Sequence, residues 1–155
     1  MDRETAARTG DHRALRNWLR LVTCTQLIER EVRARLRDRF DTTLPRFDLM
    51  SQLWRYPAGL KMNELSRHLM VTGGNVTGIV DPLEQQGLVE RAAEPADRRA
   101  YRVRLTRAGR TAFAEMARTH EEWILELLAG LSRKEHAQIY RLLGRMKQVT
   151  MEARS

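Results

Sequence analysis

Between Asn63 and Thr106 the chain switches from helical to two-residue hydrophobic periodicity, and few folds accommodate that switch in so short a length. Asn63-Glu64-Leu65-Ser66-Arg67-His68-Leu69-Met70 is a short amphipathic segment through Leu65 and Leu69. A second helix is predicted from Thr72, as N-cap, to a C′ glycine at Gly87, with Val76, Val80 and Leu83 facing inward. Gly74, Gly78 and Pro82 share the opposite face, flanked by Asn75 and Thr77. Pro82 removes the hydrogen bond to the Gly78 carbonyl, so a kink eased by Gly78 is expected there instead of termination. Leu88-Val89-Glu90-Arg91 and Tyr101-Arg102-Val103-Arg104-Leu105 then alternate around a polar tip holding Pro95, Asp97, Arg98 and Arg99. The two strands predict a hairpin with Val103 and Leu105 on a packed face and Arg102 and Arg104 on a cationic one. Helix, turn, helix and hairpin in that order are the plan of a winged helix-turn-helix.

Long amphipathic helices flank this stretch. Leu15, Trp18, Leu19, Val22, Ile28, Val32, Leu36 and Phe40 recur at helical spacing, and Pro45 ends the run by biasing Leu44 towards extended geometry. A second helix carries Phe47, Leu49, Met50, Leu53 and Trp54 and stops at Tyr56-Pro57-Ala58-Gly59. After the hairpin, Thr106 caps a helix with Phe113, Met116, His120 and Trp123. Ser132-Arg133-Lys134-Glu135 is a capping-box pattern that opens the last helix, through Ile139, Leu142, Leu143, Met146 and Val149. The fold class read from these patterns is mainly α with a small β-wing.

Charge points to the partner. The formal net charge is +8, carried mostly by arginine, and Arg98, Arg99, Arg102, Arg104, Arg107 and Arg110 follow one another with no acidic residue among them. Such a run is often a solvated face, but beside a helix-turn-helix it suits phosphate contact, which favours double-stranded DNA over a membrane. A helix read this way places Thr72, Gly74, Asn75, Thr77 and Gly78 against DNA, with Asn75 able to bond adenine in two places. Catalysis finds no support, because His12, His68, His120 and His136 lack metal-ligand spacing and no nucleophile trio assembles. Neither a metal nor a cofactor is expected. The single cysteine, Cys24, excludes an internal disulfide, and with no signal peptide or apolar span the chain reads as cytoplasmic.

Leu88-Val89-Glu90-Arg91, the tip Asp97-Arg98-Arg99, and Val103-Arg104-Leu105-Thr106-Arg107-Ala108-Gly109 together resemble the MarR family of bacterial transcriptional regulators, from about Leu15 to Val149. The resemblance implies one domain over residues 1–155, with helices in 11–44 and 107–152 forming a homodimer frame around a winged helix-turn-helix lobe in 45–106. It implies a ligand-responsive repressor released from a pseudo-palindromic operator. Asp97 would brace the wing while Arg98 and Arg99 stand at its tip, with Arg102 added to the DNA contacts from the cationic face. Many members carry larger cationic or polar residues where this chain has Gly78 and Pro82. Val71-Thr72-Gly73-Gly74-Asn75-Val76-Thr77-Gly78 is also similar to a branch that senses hydroxycinnamoyl-CoA thioesters, implying an aromatic acid or aromatic acyl-CoA as effector.

Trp18, Phe47, Met50 and Trp54 are the candidates for lining an effector pocket, although aromatics at helical spacing serve equally as plain core. Two alternatives stand beside this reading. Cys24, one turn from Arg20, would make a redox-responsive repressor if its thiolate is favoured. A winged helix also serves as a protein-interaction module.

Overall fold

The structure is a computed structural model that describes residues 12–69 and 73–154, with the backbone alone at Arg98. Its elements in chain order are α1 (Arg13–Phe40), α2 (Leu44–Arg55), β1 (Leu60–Lys61), α3 (Met62–Leu69), α4 (Gly73–Gln85), β2 (Val89–Glu94), β3 (Asp97–Leu105), α5 (Arg107–Leu127) and α6 (Arg133–Glu152). The chain divides into two compact units at His120–Glu121, inside α5.

The periodic residues of the first unit do what their spacing predicts. Leu49, Met50 and Leu53 of α2, Leu65 of α3, Val76, Val80 and Leu83 of α4, and Val103 of β3 are all fully buried. Each such side chain contributes roughly 1.5–3 kcal/mol of transfer free energy. The long stripe of α1 behaves differently along its length. Val32 and Leu36 are buried, whereas Leu15, Trp18 and Leu19 are exposed.

Two boundaries depart from expectation. Leu44 is the first residue of α2 and not an extended linker; the extended residue is Thr43, whose φ of −115° and ψ of 157° make it the N-cap. Its Oγ1 accepts the Arg46 N–H at 3.3 Å, and Pro45 fits the first turn because an N–H there has no helical partner. The wing is also wider than a hairpin. Leu60 pairs with Val103 and Lys61 with Arg102, so β1 joins an antiparallel sheet of order β1-β3-β2.

Helix α4 runs through Pro82 without terminating. It ends in a Schellman motif, with Gly87 at φ 72°, the Gly87 N–H donating to Glu84 O at 2.9 Å and the Leu88 N–H to Leu83 O at 2.9 Å. The predicted N-cap, Thr72, lies outside the described residues.

Thr106 closes the wing onto α5. Its Oγ1 accepts the Gly109 N–H at 3.0 Å and donates to Gly87 O at 2.6 Å, while its N–H donates to Leu88 O at 3.1 Å. Gly109 lies so close to that strand that a Cβ would stand 1.9 Å from the Leu88 carbonyl oxygen. In the second unit Ser132 and Glu135 form the predicted capping box, which opens α6.

Gly109→Ala is expected to destabilise the protein by about 1–3 kcal/mol, because only backbone can yield to the added methyl; denaturant unfolding measures it. His120 gives a pH prediction. Its ring lies 4.9 Å from that of Phe47, and burial holds its pKa below the ordinary histidine value. The unfolded chain therefore binds the proton more readily, so this contribution is complete above about pH 6.5 and declines as pH falls below it. In His120→Phe, that component of the pH dependence of the melting temperature should disappear.

Candidate nucleic-acid interface

Burying Val76, Val80 and Leu83 turns the opposite side of α4 outward. Gly74, Asn75, Thr77 and Gly78 are exposed, as their spacing predicts, and Pro82 is half-buried. Added Cβ atoms at Gly74 and Gly78 would meet nothing within 4 Å, so open space lies beyond both positions. No basic side chain occurs anywhere in α4, and Asp81 and Glu84 make its C-terminal half acidic.

The wing tip is held locally. Asp97 Oδ1 accepts the Arg99 N–H at 2.9 Å, an Asx-type turn that fixes the backbone from which an exposed Arg99 side chain departs. Arg98 lies beside it in β3, where the backbone alone is described.

Arg102 and Arg104 do not make the open cationic face that alternation predicts. Arg102 Nε donates to Glu94 Oε2 at 2.6 Å and its Nη1 to Gly59 O at 3.2 Å. Those bonds tie β3 to β2 and to the turn before β1. Arg104 Nε donates to Glu90 Oε1 at 2.7 Å, directly across the ladder from its register partner. The arginine run has no acids in its own sequence because the neighbouring strand supplies them.

Sequence reasoning passed over Arg91. From β2 it donates to Asp81 Oδ1 at 2.6 Å and to Glu84 Oε1, and its guanidinium stacks 5.3 Å from the Tyr101 ring centroid. Hydrogen bonding to Asp81 raises its pKa above the ordinary range. Its Nε is buried and has no hydrogen-bond partner among the described residues. Arg91 therefore fastens the C-terminal half of α4 to the wing. The local signal was present as Asp81 and Glu84 three residues apart on one helix face, just before a strand bearing an arginine.

The four effector candidates separate. Phe47 and Met50 are core residues. Phe47 and Trp54 share Phe113, at ring distances of 5.4 and 5.5 Å, and Arg110 covers Trp54 at 4.8 Å from its ring centroid. Trp18 stands exposed on α1 with Leu15 and Leu19. Cys24 is exposed on the same helix, in a depression with Arg16, Leu19, Arg20 and Thr23. Among the described residues no group of three His, Cys, Asp or Glu could hold a metal ion, and no helix is long and apolar enough to cross a membrane.

A double-mutant cycle between Arg91→Met and Asp81→Asn is expected to return a coupling of about 1 kcal/mol in unfolding free energy, modest because Asp81 is half exposed. Additive effects would show that the pair does not couple α4 to β2.

Residues 42–101, from the start of α2 into the wing, match the MarR family. The chain is similar to the HTH-type transcriptional regulator YkoM of Bacillus subtilis (strain 168), with 31% identity over 83 residues, 54% of each chain. It spans 54 to 63% of the length of the curated relatives it matches. Solved structures extend the likeness further. A MarR family transcriptional regulator from Silicibacter pomeroyi is 29% identical with a TM-score of 0.73, covering 97% of this chain and 99% of that one. FabT from Streptococcus pneumoniae, solved in complex with DNA, is 25% identical with a TM-score of 0.73 over 92% and 99%. The match from α2 into the wing and the fold shared along nearly the whole length make the chain similar to winged helix-turn-helix transcriptional regulators of the MarR family.

Proposed function

We propose that the protein is a dimeric, DNA-binding transcriptional regulator that represses by occupying a pseudo-palindromic operator. The observation that carries this is the pairing of an outward α4 face of small and amide side chains with a wing whose tip is braced by Asp97. Such a face lets the helix backbone approach the floor of a major groove, where Asn75 reads a base edge and Thr77 contacts a thymine methyl or a phosphate. Arg99 and Arg98 supply the minor-groove contact from the wing, Gly74 lies in the first turn of α4, and Thr72, the residue before Gly73 in the sequence, is the further candidate for DNA contact. Arg102 serves the interface through the wing it braces.

The dimer is formed by residues in 11–44 and 107–152, leaving the winged lobe in 45–106 to enter the DNA grooves. Supporting this, α6 has no buried residue yet exposes Ile139, Tyr140, Leu142, Leu143, Val149 and Met151, and the first half of α1 exposes its own apolar residues. A monomer rarely leaves that much apolar surface uncovered. Two-fold pairing then sets half-sites about one helical turn (~10 bp) apart. The effector is an aromatic acid or aromatic acyl-CoA, a reading supported by the residues from Val71 to Gly78.

Fluorescence anisotropy against the duplex upstream of the protein's own gene, beside a random duplex, tests the assignment. Preferential, salt-sensitive binding is expected. Arg99→Ala weakens both duplexes alike, whereas Asn75→Ala loses preference, each bidentate base contact carrying about 1–3 kcal/mol of discrimination. Equal, salt-independent affinity for the two duplexes would favour a protein-interaction module instead. Sedimentation of Tyr140→Asp/Leu143→Asp is expected to show monomer. Hydroxycinnamoyl-CoA or its free acid should release the duplex, and a complex indifferent to both removes the aromatic effector while leaving DNA binding intact.

A further inference from the structure

The recognition helix proposed above has a deficit. With no Lys or Arg of its own and two acids near its end, α4 cannot neutralise phosphate by itself. Much of the cationic charge on the wing is already paired with Glu90 and Glu94. Binding a polyanion therefore needs positive charge delivered to α4 from another element.

Such charge borders the open space at Gly78. A depression of about 370 Å³ is lined by Arg33 and Arg37 of α1, by the link and first turn of α2 (Thr42, Thr43, Leu44, Pro45 and Arg46), and by Gly78 and Ile79 of α4. Three arginines from two helices converge there on the exposed side of a helix that has none. Arg33 is partly neutralised, with Glu29 at 3.5 Å, so Arg37 and Arg46 carry most of the available charge. The cationic surface continues along α1, where Arg30, Arg33 and Arg37 line a second, larger depression.

Local structure explains the convergence. Asp41, at φ 49°, ends α1 in the left-handed region, and Thr43 restarts the chain as the α2 N-cap. This sharp reversal brings the last turns of α1 and the first of α2 to one place, with the glycine of α4 leaving room in front of them.

We infer that Arg37 and Arg46, with Arg33 behind them, form a phosphate-binding shelf for the DNA backbone that flanks the groove occupied by α4. The inference rests on the DNA-binding reading. The occupant follows from charge and place. A sugar-phosphate strand carries regularly spaced negative charge past the groove edge, and the shelf adjoins the helix face that would enter the groove. Sequence reading comes from α4 and grip from the scaffold beside it.

The full-length protein tests this by anisotropy with operator and random duplexes from ~50 to ~200 mM salt. Replacing both arginines, Arg37→Gln/Arg46→Gln, is expected to reduce the log–log salt slope of the dimer by about 3.6, or about 0.9 for each of the two phosphates per subunit no longer neutralised. The reduction should be the same on both duplexes, with an unchanged melting temperature. Adding Gly78→Arg to that variant should recover about 1.8 of the slope, about 0.9 for each subunit, since the position is open. An unchanged slope overturns the shelf, whether affinity holds or falls, because weaker binding with undiminished counterion release does not come from the phosphates. A wild-type protein that binds neither duplex overturns the DNA-binding reading itself, which separates the two failures.

Discussion

The approach of Gly109 to the Leu88 carbonyl is the contact on which the arrangement of the winged lobe depends. At that point α4 has just ended, β2 is about to begin, and β3 has just handed over to α5. Leu88 donates back to α4 and accepts from Thr106, while Thr106 also bonds Gly87 and Gly109. The backbone groups freed where a helix ends and a strand begins thus find partners in each other, where leaving them unpaired would cost about 1–3 kcal/mol apiece. A side chain at 109 would hold the two segments apart and break that exchange. The junction of α4 with the wing is held by main-chain bonds and the Thr106 hydroxyl, with Arg91 as a second fastening further along.

Charge in this protein is informative by position and misleading in bulk. The net charge of +8 and the arginine run on β3 suggest a ribbon clad in positive charge. The ladder answers two of those arginines with Glu90 and Glu94, so on this ribbon they stiffen the sheet. Other arginines stand elsewhere: Arg99 is exposed at the tip, where Asp97 organises the backbone, and Arg37 and Arg46 line the depression at the reversal between α1 and α2. Cross-strand ion pairs are individually weak when exposed, but each commits a guanidinium to one direction.

What was legible in the sequence was what local spacing determines. The Schellman ending at Gly87, the cap at Thr106 and the Ser132–Glu135 box each depend on residues within five positions of one another, and all are found. The inward set Val76, Val80 and Leu83 followed from helical period alone. What was not legible depends on distant pairing. Strand β1 is two residues long and exists only because Leu60 and Lys61 meet Val103 and Arg102. Arg102 reaches Glu94 across a register shift between Ala93 and Glu94 that no alternation pattern announces. Helical spacing likewise assigns Trp18, Phe47, Met50 and Trp54 to faces without saying what covers them: Phe47 and Met50 are buried, whereas Trp18 is exposed.

Helix α6 carries one more implication. It has caps and short-range pairs such as Gln148 with Glu152, but not one buried residue. A helix of this kind draws little stability from its own chain, since isolated helices are marginal in water. If a second subunit covers it, its order becomes a function of protein concentration through mass action. The folded population of α6 would then register how much of the protein is present.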